Sequence, residues 1–324
     1  MSPTNSKIIT PNISSNLKDI IGKSATMSPS PSLTTPALNL DKLADKYKHG
    51  RNRIMFFDYD RHDVIWLDDN EADFSSLKGT LTPIRSRPDD AIPSDEMIDH
   101  LKKLCEDRDN TLWVISGRDE AFLEHYLGHI PNLGLSAEHG CFIRDPRSPN
   151  WVNLAEQIDM VEWKAEVTKV FQQYTDTTPG SFIESKKCAL TWHYRQADEK
   201  LGPANAEECR RQLEKEVLPR FDVHVLVGKM NLEVRPSALN KGEIVKNLLS
   251  KHSQVDFIFC AGDDQTDEDM FRSLREANQV DQDATFSCLV GSNKSETLAD
   301  YFVSSPADIV NVLSVMNKAA PKSE

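Results

Sequence analysis

The sequence predicts an α/β fold in which helices cover a parallel sheet, and three observations lead to this prediction. Short apolar runs that end in Asp, Ser or Gly alternate with amphipathic stretches after residue 40. The apolar runs lack polar alternation, as expected for strands that are buried on both faces. Between residues 146 and 228 the pattern changes, which predicts a second α+β domain inserted into the first.

The predicted core contains four strands and at least two helices. The strand candidates are Ile54–Phe57, Leu112–Ile115, Phe257–Cys260 and Phe286–Val290. Apolar residues from Met97 to Cys105 recur at helical spacing behind a Pro93-Ser94 start, and those from Ile244 to Leu249 form a second helical pattern. We assign residues 41–145 and 229–318 to this core.

The inserted segment, residues 146–228, has its own order of elements. An amphipathic stretch comes first. The later patterns predict a strand at Cys188–Tyr194, a charged helix at Ala204–Leu218 and a strand at Val223–Val227. Residues 1–40 are rich in Ser, Thr, Pro and Asn, so they cannot offset the entropy of ordering and are predicted to be a disordered tail.

Charge and cysteine usage limit the class of partner. The net charge of −13 argues against nucleic acid and membrane surfaces, which are bound by clustered Lys and Arg. A small anionic substrate stays compatible with it, because a bound divalent cation can reverse the local charge. No apolar run approaches membrane-spanning length. The six cysteines are scattered, without a Cys-x-x-Cys pair, so we expect buried thiols in a reduced, cytoplasmic protein.

Polar segments follow three of the strand candidates, where open parallel sheets bind ligands, and one more stands before the predicted helix at Ile244–Leu249. These segments are Asp58-Tyr59-Asp60, Ser116-Gly117-Arg118, Asn240-Lys241-Gly242 and Gly262–Asp269. Two carboxylates two residues apart can face one crevice, one as a nucleophile for a phosphoryl group and one as a proton donor. Lys241, the Ser116 hydroxyl and Mg²⁺ on aspartates can meet the phosphoryl charge. The set is complete for phosphoryl transfer.

The order of these segments resembles the four motifs of the haloacid dehalogenase superfamily, and further stretches resemble trehalose-6-phosphate phosphatases. Those stretches are Gly79–Ile84, Val114–Arg118, Ser136–Gly140, Leu190–Arg195, Leu232–Pro236 and Gly262–Phe271. The resemblance extends over residues 38–315. It implies a Rossmann-like parallel sheet core of the haloacid dehalogenase type with an inserted α+β cap domain at 146–228.

The resemblance also implies an activity and a set of site residues. The activity is Mg²⁺-dependent hydrolysis of trehalose 6-phosphate through an aspartyl-phosphate, with Asp58 as nucleophile, Asp60 as general acid and base, and Ser116 and Lys241 holding phosphate. The implied Mg²⁺ ligands are Asp58, Asp60, Asp263, Asp264 and Asp267. The implied substrate-binding residues are Arg118, Glu138, His139, Lys186, His193, Arg195, Glu233 and Arg235. Ordinary ion pairing between core and cap is the alternative for this last group. Such phosphatases accompany trehalose-6-phosphate synthase, which is the implied protein partner.

Residues 61–78 depart from the family pattern, in which the second Asp is followed directly by Gly-Thr. Without them the sequence reads Asp-Tyr-Asp-Gly-Thr-Leu-Thr-Pro-Ile. The segment is either a retained intron or a genuine loop, since added loop length costs little closure entropy. Its five acidic residues would stand near a site for an anion, so we predict a correct fold with impaired turnover. Three functions stay open: an active trehalose-6-phosphate phosphatase, a catalytically silent binding or regulatory relative, and a phosphatase for another sugar phosphate.

Overall fold

The computed structural model describes residues 35–59, 79–82, 92–156, 158–228, 230–291 and 296–320. These residues belong to one compact unit, Thr34–Glu324. Residues 1–34 of the predicted tail, Asp60 and the 61–78 segment lie outside the described residues. The tail prediction is wrong for residues 35–40. Ala37 forms a parallel bridge with Phe302, and helix α1 begins at Leu40. Backbone pairing of this segment stabilises what composition alone predicted to be disordered.

The described residues form an eight-stranded sheet that carries the predicted core. Its strands are β1 (Arg53–Asp58), β2 (Asn110–Ile115), β3 (Leu133–Ala137), β4 (Phe142–Arg144), β5 (Trp151–Asn153), β10 (Phe257–Gly262), β11 (Thr285–Val290) and β12 (Tyr301–Val303). In the sheet they lie in the order β12-β11-β10-β1-β2-β3-β4-β5. Neighbouring strands from β12 to β3 are parallel, and β4 and β5 add antiparallel pairs at one edge. The α/β fold class is confirmed.

Both faces of the sheet are buried at its inner strands β1, β10 and β11, which explains why these strands lack polar alternation. Along β1, Met55 and Phe57 belong to a core cluster that includes residues of helices α1 (Leu40–His49), α2 (Asp95–Glu106) and α8 (Pro306–Ala319). Ile54 and Phe56 belong to a second cluster with α6 (Lys241–Ser250) and α7 (Glu268–Glu276). Because side chains alternate along a strand, each face meets its own helical layer. Helix α3 (Glu120–Leu127) packs in the first cluster.

The predicted helix starts are confirmed by their caps. The Ser94 hydroxyl accepts a hydrogen bond from the Met97 N–H at 3.2 Å, and the Asn240 side chain accepts one from the Glu243 N–H at 2.9 Å. Each cap satisfies an N–H group that has no partner within its helix. The second cap fixes Lys241 at the first position of α6.

A second, smaller sheet has four antiparallel strands, β6 (Phe182–Ser185), β7 (Leu190–His193), β8 (Val223–Gly228) and β9 (Asn231–Pro236). In this sheet they lie in the order β6-β7-β9-β8. Helices α4 (Met160–Thr177) and α5 (Leu201–Glu216) share a core cluster with it. The inserted α+β character is therefore confirmed.

Both ends of the predicted inserted segment need correction. Strand β5, which lies after residue 146, pairs with β4 in the large sheet. Strand β9, which lies after residue 228, pairs with β7 and β8 in the small sheet. At both ends the sequence pattern therefore changes several residues before the chain passes from one sheet to the other. Hydrogen-bond pairing, and not composition, decides which sheet a short strand joins.

Tertiary structure also corrects the expectation for the cysteines. Cys141 and Cys188 form a disulfide across 47 positions of the sequence, whereas Cys105, Cys209, Cys260 and Cys288 are buried thiols. The spacing of the two cysteines could not predict this pairing. Cys141 precedes β4 of the large sheet and Cys188 precedes β7 of the small sheet, so only the packing of the two sheets brings them together. None of the described helices has the length and apolar character needed to cross a membrane.

Candidate active site

The polar segments predicted to meet do so at the carboxyl edge of the large sheet. Strand β1 ends at Asp58 and is flanked by β2, which is followed by Ser116, and by β10, which is followed by Asp263. Parallel strands bring their carboxyl ends to one edge, and the N-terminus of α6 adds Lys241. Asp58, Ser116 and Lys241 are fully buried.

A buried ion cluster lies at the centre of this edge. The Nζ atom of Lys241 donates to Oδ1 of Asp58 at 2.6 Å and to Oδ1 of Asp267 at 2.8 Å, and all three side chains are buried. An ammonium at a helix N-terminus is disfavoured by the helix dipole, so the two carboxylates offset an unfavourable position. Removing Lys241 would leave two buried carboxylates without their shared cation.

Three carboxylates form a candidate cation site beside this lysine. Asp58, Asp263 and Asp267 each offer an oxygen, and these atoms lie within 4.8 Å of one another. Hard carboxylate oxygens are what Mg²⁺ prefers, so the donor set fits that ion. Asp264 lies beside this group but outside it. One of its oxygens, Oδ1, accepts from both the N–H and the hydroxyl of Thr266 at 2.7 Å.

Two further contacts orient the carboxylates. Oδ2 of Asp267 accepts from the N–H groups of Asp263 at 2.7 Å and Asp264 at 3.1 Å, which fixes the loop after β10. The Thr80 hydroxyl donates to Oδ1 of Asp263 at 2.8 Å. Thr80 belongs to the Gly79–Ile84 stretch, but the sequence pattern alone predicted no role for it. Its hydroxyl two positions after the interruption was the available signal.

The described residues on both sides of the interruption lie at the site. Burial raises the pKa of Tyr59, which Arg118 and a hydrogen bond with the Thr82 side chain oppose. Leu81 is buried in the same core cluster as Tyr59. A genuine loop must have ends that approach each other, and these contacts meet that condition.

Ser116 and Arg118 surround the backbone of the first motif. The Ser116 hydroxyl donates to the Tyr59 carbonyl and accepts from the Arg118 N–H, the latter at 3.0 Å. The Arg118 guanidinium lies 3.8 Å from the centroid of the Phe122 ring. Stacking on an aromatic face orients the guanidinium and leaves its edge for polar partners.

The turn after β3 holds three consecutive residues in left-handed backbone conformation: φ is 46° at Glu138, 53° at His139 and 105° at Gly140. Such conformations persist where the surroundings enforce them, and they are frequent at functional sites. The N–H groups of Glu138 and His139 donate to the carbonyls of Arg118 and Ser116 at 2.9 and 2.8 Å. A Cβ at Gly140 would lie 2.5 Å from Cγ1 of Ile244, so glycine also allows α6 to pack here.

The small sheet presents one apolar and one polar face. Leu190, Trp192, Leu232 and Val234 belong to the core cluster with α4 and α5. The intervening residues, Thr191, His193, Glu233 and Arg235, therefore share the opposite face. The alternation in these stretches was the signal for this face, and Thr191 is its member that sequence reasoning left without a role.

Glu233 is the centre of the polar face. Its carboxylate lies 3.4 Å from Lys186 Nζ, 3.2 Å from the Thr191 hydroxyl and 3.6 Å from Arg235 Nη1. Burial acts to raise its pKa, but the charges of His139, Lys186 and Arg235 outweigh burial and hold the pKa at about 2. His139 lies in the turn after β3 of the large sheet, so predicted substrate residues of both layers interact.

The remaining predicted substrate residues extend this polar region. Nε2 of His193 lies 2.8 Å from Glu184, and its Nδ1 lies 2.8 Å from Arg195 Nη2. Glu138 accepts from the Cys188 N–H at 3.2 Å. Sequence reasoning did not single out Glu184. Its cross-strand neighbourhood with His193 appears only once β6 and β7 are paired.

The sequence of this chain is similar to those of known trehalose-phosphatases. The sequence profile of the trehalose-phosphatase family matches residues 74–307, a match that begins after Asp58 and Asp60. The trehalose-phosphatase of Schizosaccharomyces pombe is 45% identical over 281 residues, which are 86% of this chain and 32% of that protein. The chain spans about a third of the length of the curated relatives it matches.

Solved structures agree with this family. The trehalose-6-phosphate phosphatase of Aspergillus fumigatus, in crystal form 3, is 47% identical, with a TM-score of 0.70 over 88% of this chain and 100% of that one. A haloacid dehalogenase-like hydrolase from Bacteroides thetaiotaomicron shares the fold, with a TM-score of 0.52 at 11% identity over 82% of this chain and 98% of that one. The chain therefore belongs to the trehalose-phosphatase family and has a fold of the haloacid dehalogenase type with a cap domain.

Proposed function

We propose that this chain hydrolyses trehalose 6-phosphate to trehalose and inorganic phosphate in a Mg²⁺-dependent reaction. One observation carries the proposal: Lys241 lies between Asp58 and Asp267 at the carboxyl edge of the sheet, with Asp263 beside them. Family membership and the printed activity of the relatives support the choice of substrate.

Asp58 is proposed as the nucleophile. An oxygen of its carboxylate attacks phosphorus, the bond from phosphorus to the sugar oxygen breaks, and an aspartyl-phosphate forms. The Lys241 ammonium, 2.6 Å from Oδ1 of Asp58, is placed to offset the negative charge on the phosphoryl oxygens. Ser116, next to the Tyr59 carbonyl, is the proposed second phosphate contact.

Asp60 is proposed to move the proton. In the first step its carboxyl group donates a proton to the departing sugar oxygen. In the second step its carboxylate takes a proton from the water that attacks the phosphoryl group, and phosphate release restores Asp58. This role rests on the motif and on its position two residues after Asp58, since Asp60 lies outside the described residues.

The cation is proposed to be Mg²⁺, which Asp58, Asp263 and Asp267 would hold together with Asp60, while Asp264 lies beside them. Bound there, it would supply positive charge to the phosphoryl oxygens. This chain's own residues orient the ligands: Thr80 donates to Asp263, and Asp267 fixes the loop through two N–H groups.

The polar face of the small sheet is proposed to bind the sugar. His193, Glu233 and Arg235 share that face, and His139 approaches it from the large sheet. These buried polar groups would form hydrogen bonds with the sugar hydroxyls. A substrate without matching hydroxyls would leave the protein groups unpaired and would therefore be rejected. Closure of this layer over the crevice would also exclude water until it is needed.

The proposal also includes a cytoplasmic location and a trehalose-6-phosphate synthase as the protein partner.

The test is phosphate release from trehalose 6-phosphate by the purified full chain, with Mg²⁺ and with a chelator. Asp58→Asn is the inactive control. Asp256→Asn is the matched active control, because Asp256 lies just before the amino end of β10, away from the carboxyl ends of the strands. Mg²⁺-dependent release that is lost only in the first variant is expected. Binding of trehalose 6-phosphate without release would indicate a silent relative, and release from other sugar phosphates alone would overturn the substrate.

A further inference from the structure

The turn between β6 and β7, residues 186–189, touches the large sheet through several groups and is called the docking turn below. The sulfur of Cys188 bonds to that of Cys141, and the Cys188 N–H donates to Oε2 of Glu138 at 3.2 Å. Lys187 pairs with Glu120, and its ammonium lies 4.6 Å from the centroid of the Phe142 ring.

The docking turn is joined firmly to its own layer. Nζ of Lys164, on α4, donates to the carbonyls of Lys186 and Lys187, both at 2.6 Å. Lys186 in turn pairs with Glu233 on β9. When the docking turn lifts, the small sheet and its helix are therefore expected to move with it.

The two cysteines stand next to residues of the proposed site. Cys141 directly follows the left-handed turn at Glu138, His139 and Gly140. Cys188 is two positions after Lys186. The bond between them therefore crosses the crevice at its rim, between the layer that holds the phosphate residues and the layer proposed to bind sugar.

The non-covalent contacts of the docking turn are individually weak. The side chain of Lys187 is 62% exposed, so its pair with Glu120 is screened by water. Burial raises the pKa of Glu138, which the hydrogen bond from Cys188 and the nearby Lys187 and Lys186 oppose. The covalent bond is the strongest of the contacts made by the docking turn, so we expect it to restrain separation of the layers.

We propose that Cys141 and Cys188 are a thiol–disulfide modification site that controls opening of the cap. The oxidised pair holds the docking turn against the large sheet and slows exchange of sugar phosphate, and a dithiol reductant releases it. The inference about turnover rests on the proposed function, whereas the inference about motion does not.

The exchange conserves electrons and protons. A thiolate of the reductant attacks one sulfur, the Cys141–Cys188 bond breaks, and a mixed disulfide forms while the other cysteine leaves as a thiolate. The second thiol of the reductant then attacks the reductant's first sulfur, which is bound in the mixed disulfide. This closes the disulfide of the reductant and releases the second cysteine as a thiolate. The reductant ends as a disulfide, and the pair gains two electrons and two protons. A small disulfide reverses the steps.

Burial makes this exchange depend on cap motion. Cys141 is fully buried and Cys188 is 5% exposed, so a reagent reaches the sulfurs only when the docking turn lifts. A ligand that favours the closed state should therefore slow reduction of the pair.

The experiment compares the full chain after treatment with oxidised glutathione and after treatment with dithiothreitol. Differential alkylation and mass spectrometry report the state of each cysteine. Hydrogen exchange of peptides covering residues 182–194 reports opening, and release of phosphate reports turnover. We expect exchange and turnover about tenfold faster in the reduced chain. Cys188→Ala should behave as the reduced chain in either reagent, and Cys105→Ala, which removes a buried thiol of α2, should respond as the unmodified chain does.

Equal hydrogen exchange in the two states, or free thiols at both positions after oxidation, would overturn the proposal. If Cys188→Ala does not fold, Cys141→Ala and a dithiothreitol titration of the unmodified chain give the same comparison. Reductant-dependent hydrogen exchange without phosphate release in either state would support disulfide control of cap opening and contradict the proposed function.

Discussion

The Nζ atom of Lys241 lies 2.6 Å from Oδ1 of Asp58, and both side chains are completely buried. A buried ammonium needs its carboxylate partners, and here Asp58 and Asp267 provide them. The same contact places a positive charge on the proposed nucleophile. Stability and chemistry therefore depend on one lysine.

Replacing Lys241 with Met should both destabilise and inactivate the protein. Asp58 and Asp267 would lose their shared cation inside the fold, so the free energy of unfolding should fall by about 3–5 kcal/mol. Turnover should fall by about a hundredfold or more, because the charge that offsets the phosphoryl oxygens is gone. Urea unfolding and phosphate release measure the two effects. Lys246→Met, on the exposed face of α6, is the matched control. A stable variant that retains full turnover would contradict both roles.

Replacing Thr80 with Val should weaken the cation site without unfolding the protein. Valine keeps the shape but removes the hydroxyl that donates to Asp263 at 2.8 Å. Loss of one hydrogen bond to a charged group predicts turnover about tenfold lower and a higher Mg²⁺ requirement. Turnover measured over a Mg²⁺ titration tests this. Thr285→Val is the control. It removes a hydroxyl at the amino end of β11, away from the candidate cation site, and should leave the Mg²⁺ titration unchanged. An unaltered Mg²⁺ titration in Thr80→Val would show that the contact does not orient Asp263.

Glu233 should make the fold sensitive to acid. Its pKa is held at about 2 against an ordinary value of 4.5. A lowered pKa contributes stability that is fully present above pH 4.5 and is lost as the pH falls towards 2. The unmodified chain should therefore lose more free energy of unfolding between pH 6 and pH 3 than Glu233→Gln does. Urea unfolding of both chains at the two pH values checks this, and parallel losses would refute it.

Removing residues 61–78 should raise turnover while leaving the fold intact. Tyr59 and Thr82 already form a hydrogen bond, so Asp60 can be joined directly to Gly79 without distant ends having to approach. Misplacement of reacting groups by about 1 Å costs about a hundredfold in rate, so the shortened chain should be faster by a comparable factor. Phosphate release and melting temperature of the two chains decide this, and equal turnover would show that the segment is harmless.

The sequence by itself determined the α/β class, the helix caps and the order of the motif residues. Unbroken apolar runs such as Met55–Phe57 predict strands buried on both faces, and polar residues directly after them predict the edge where ligands bind. The polar face of the small sheet could also be inferred, because alternation along a strand is a local property. These features depend on neighbours in the chain.

Only the tertiary structure decided the contacts between distant segments. The disulfide of Cys141 and Cys188, the hydrogen bond from Thr80 to Asp263, and the sheet to which β5 and β9 belong have no local signal. Each depends on which strands pair and how closely two layers pack. Spacing in the sequence does not contain that information, because the chain between two contacting residues can have almost any length at small entropic cost.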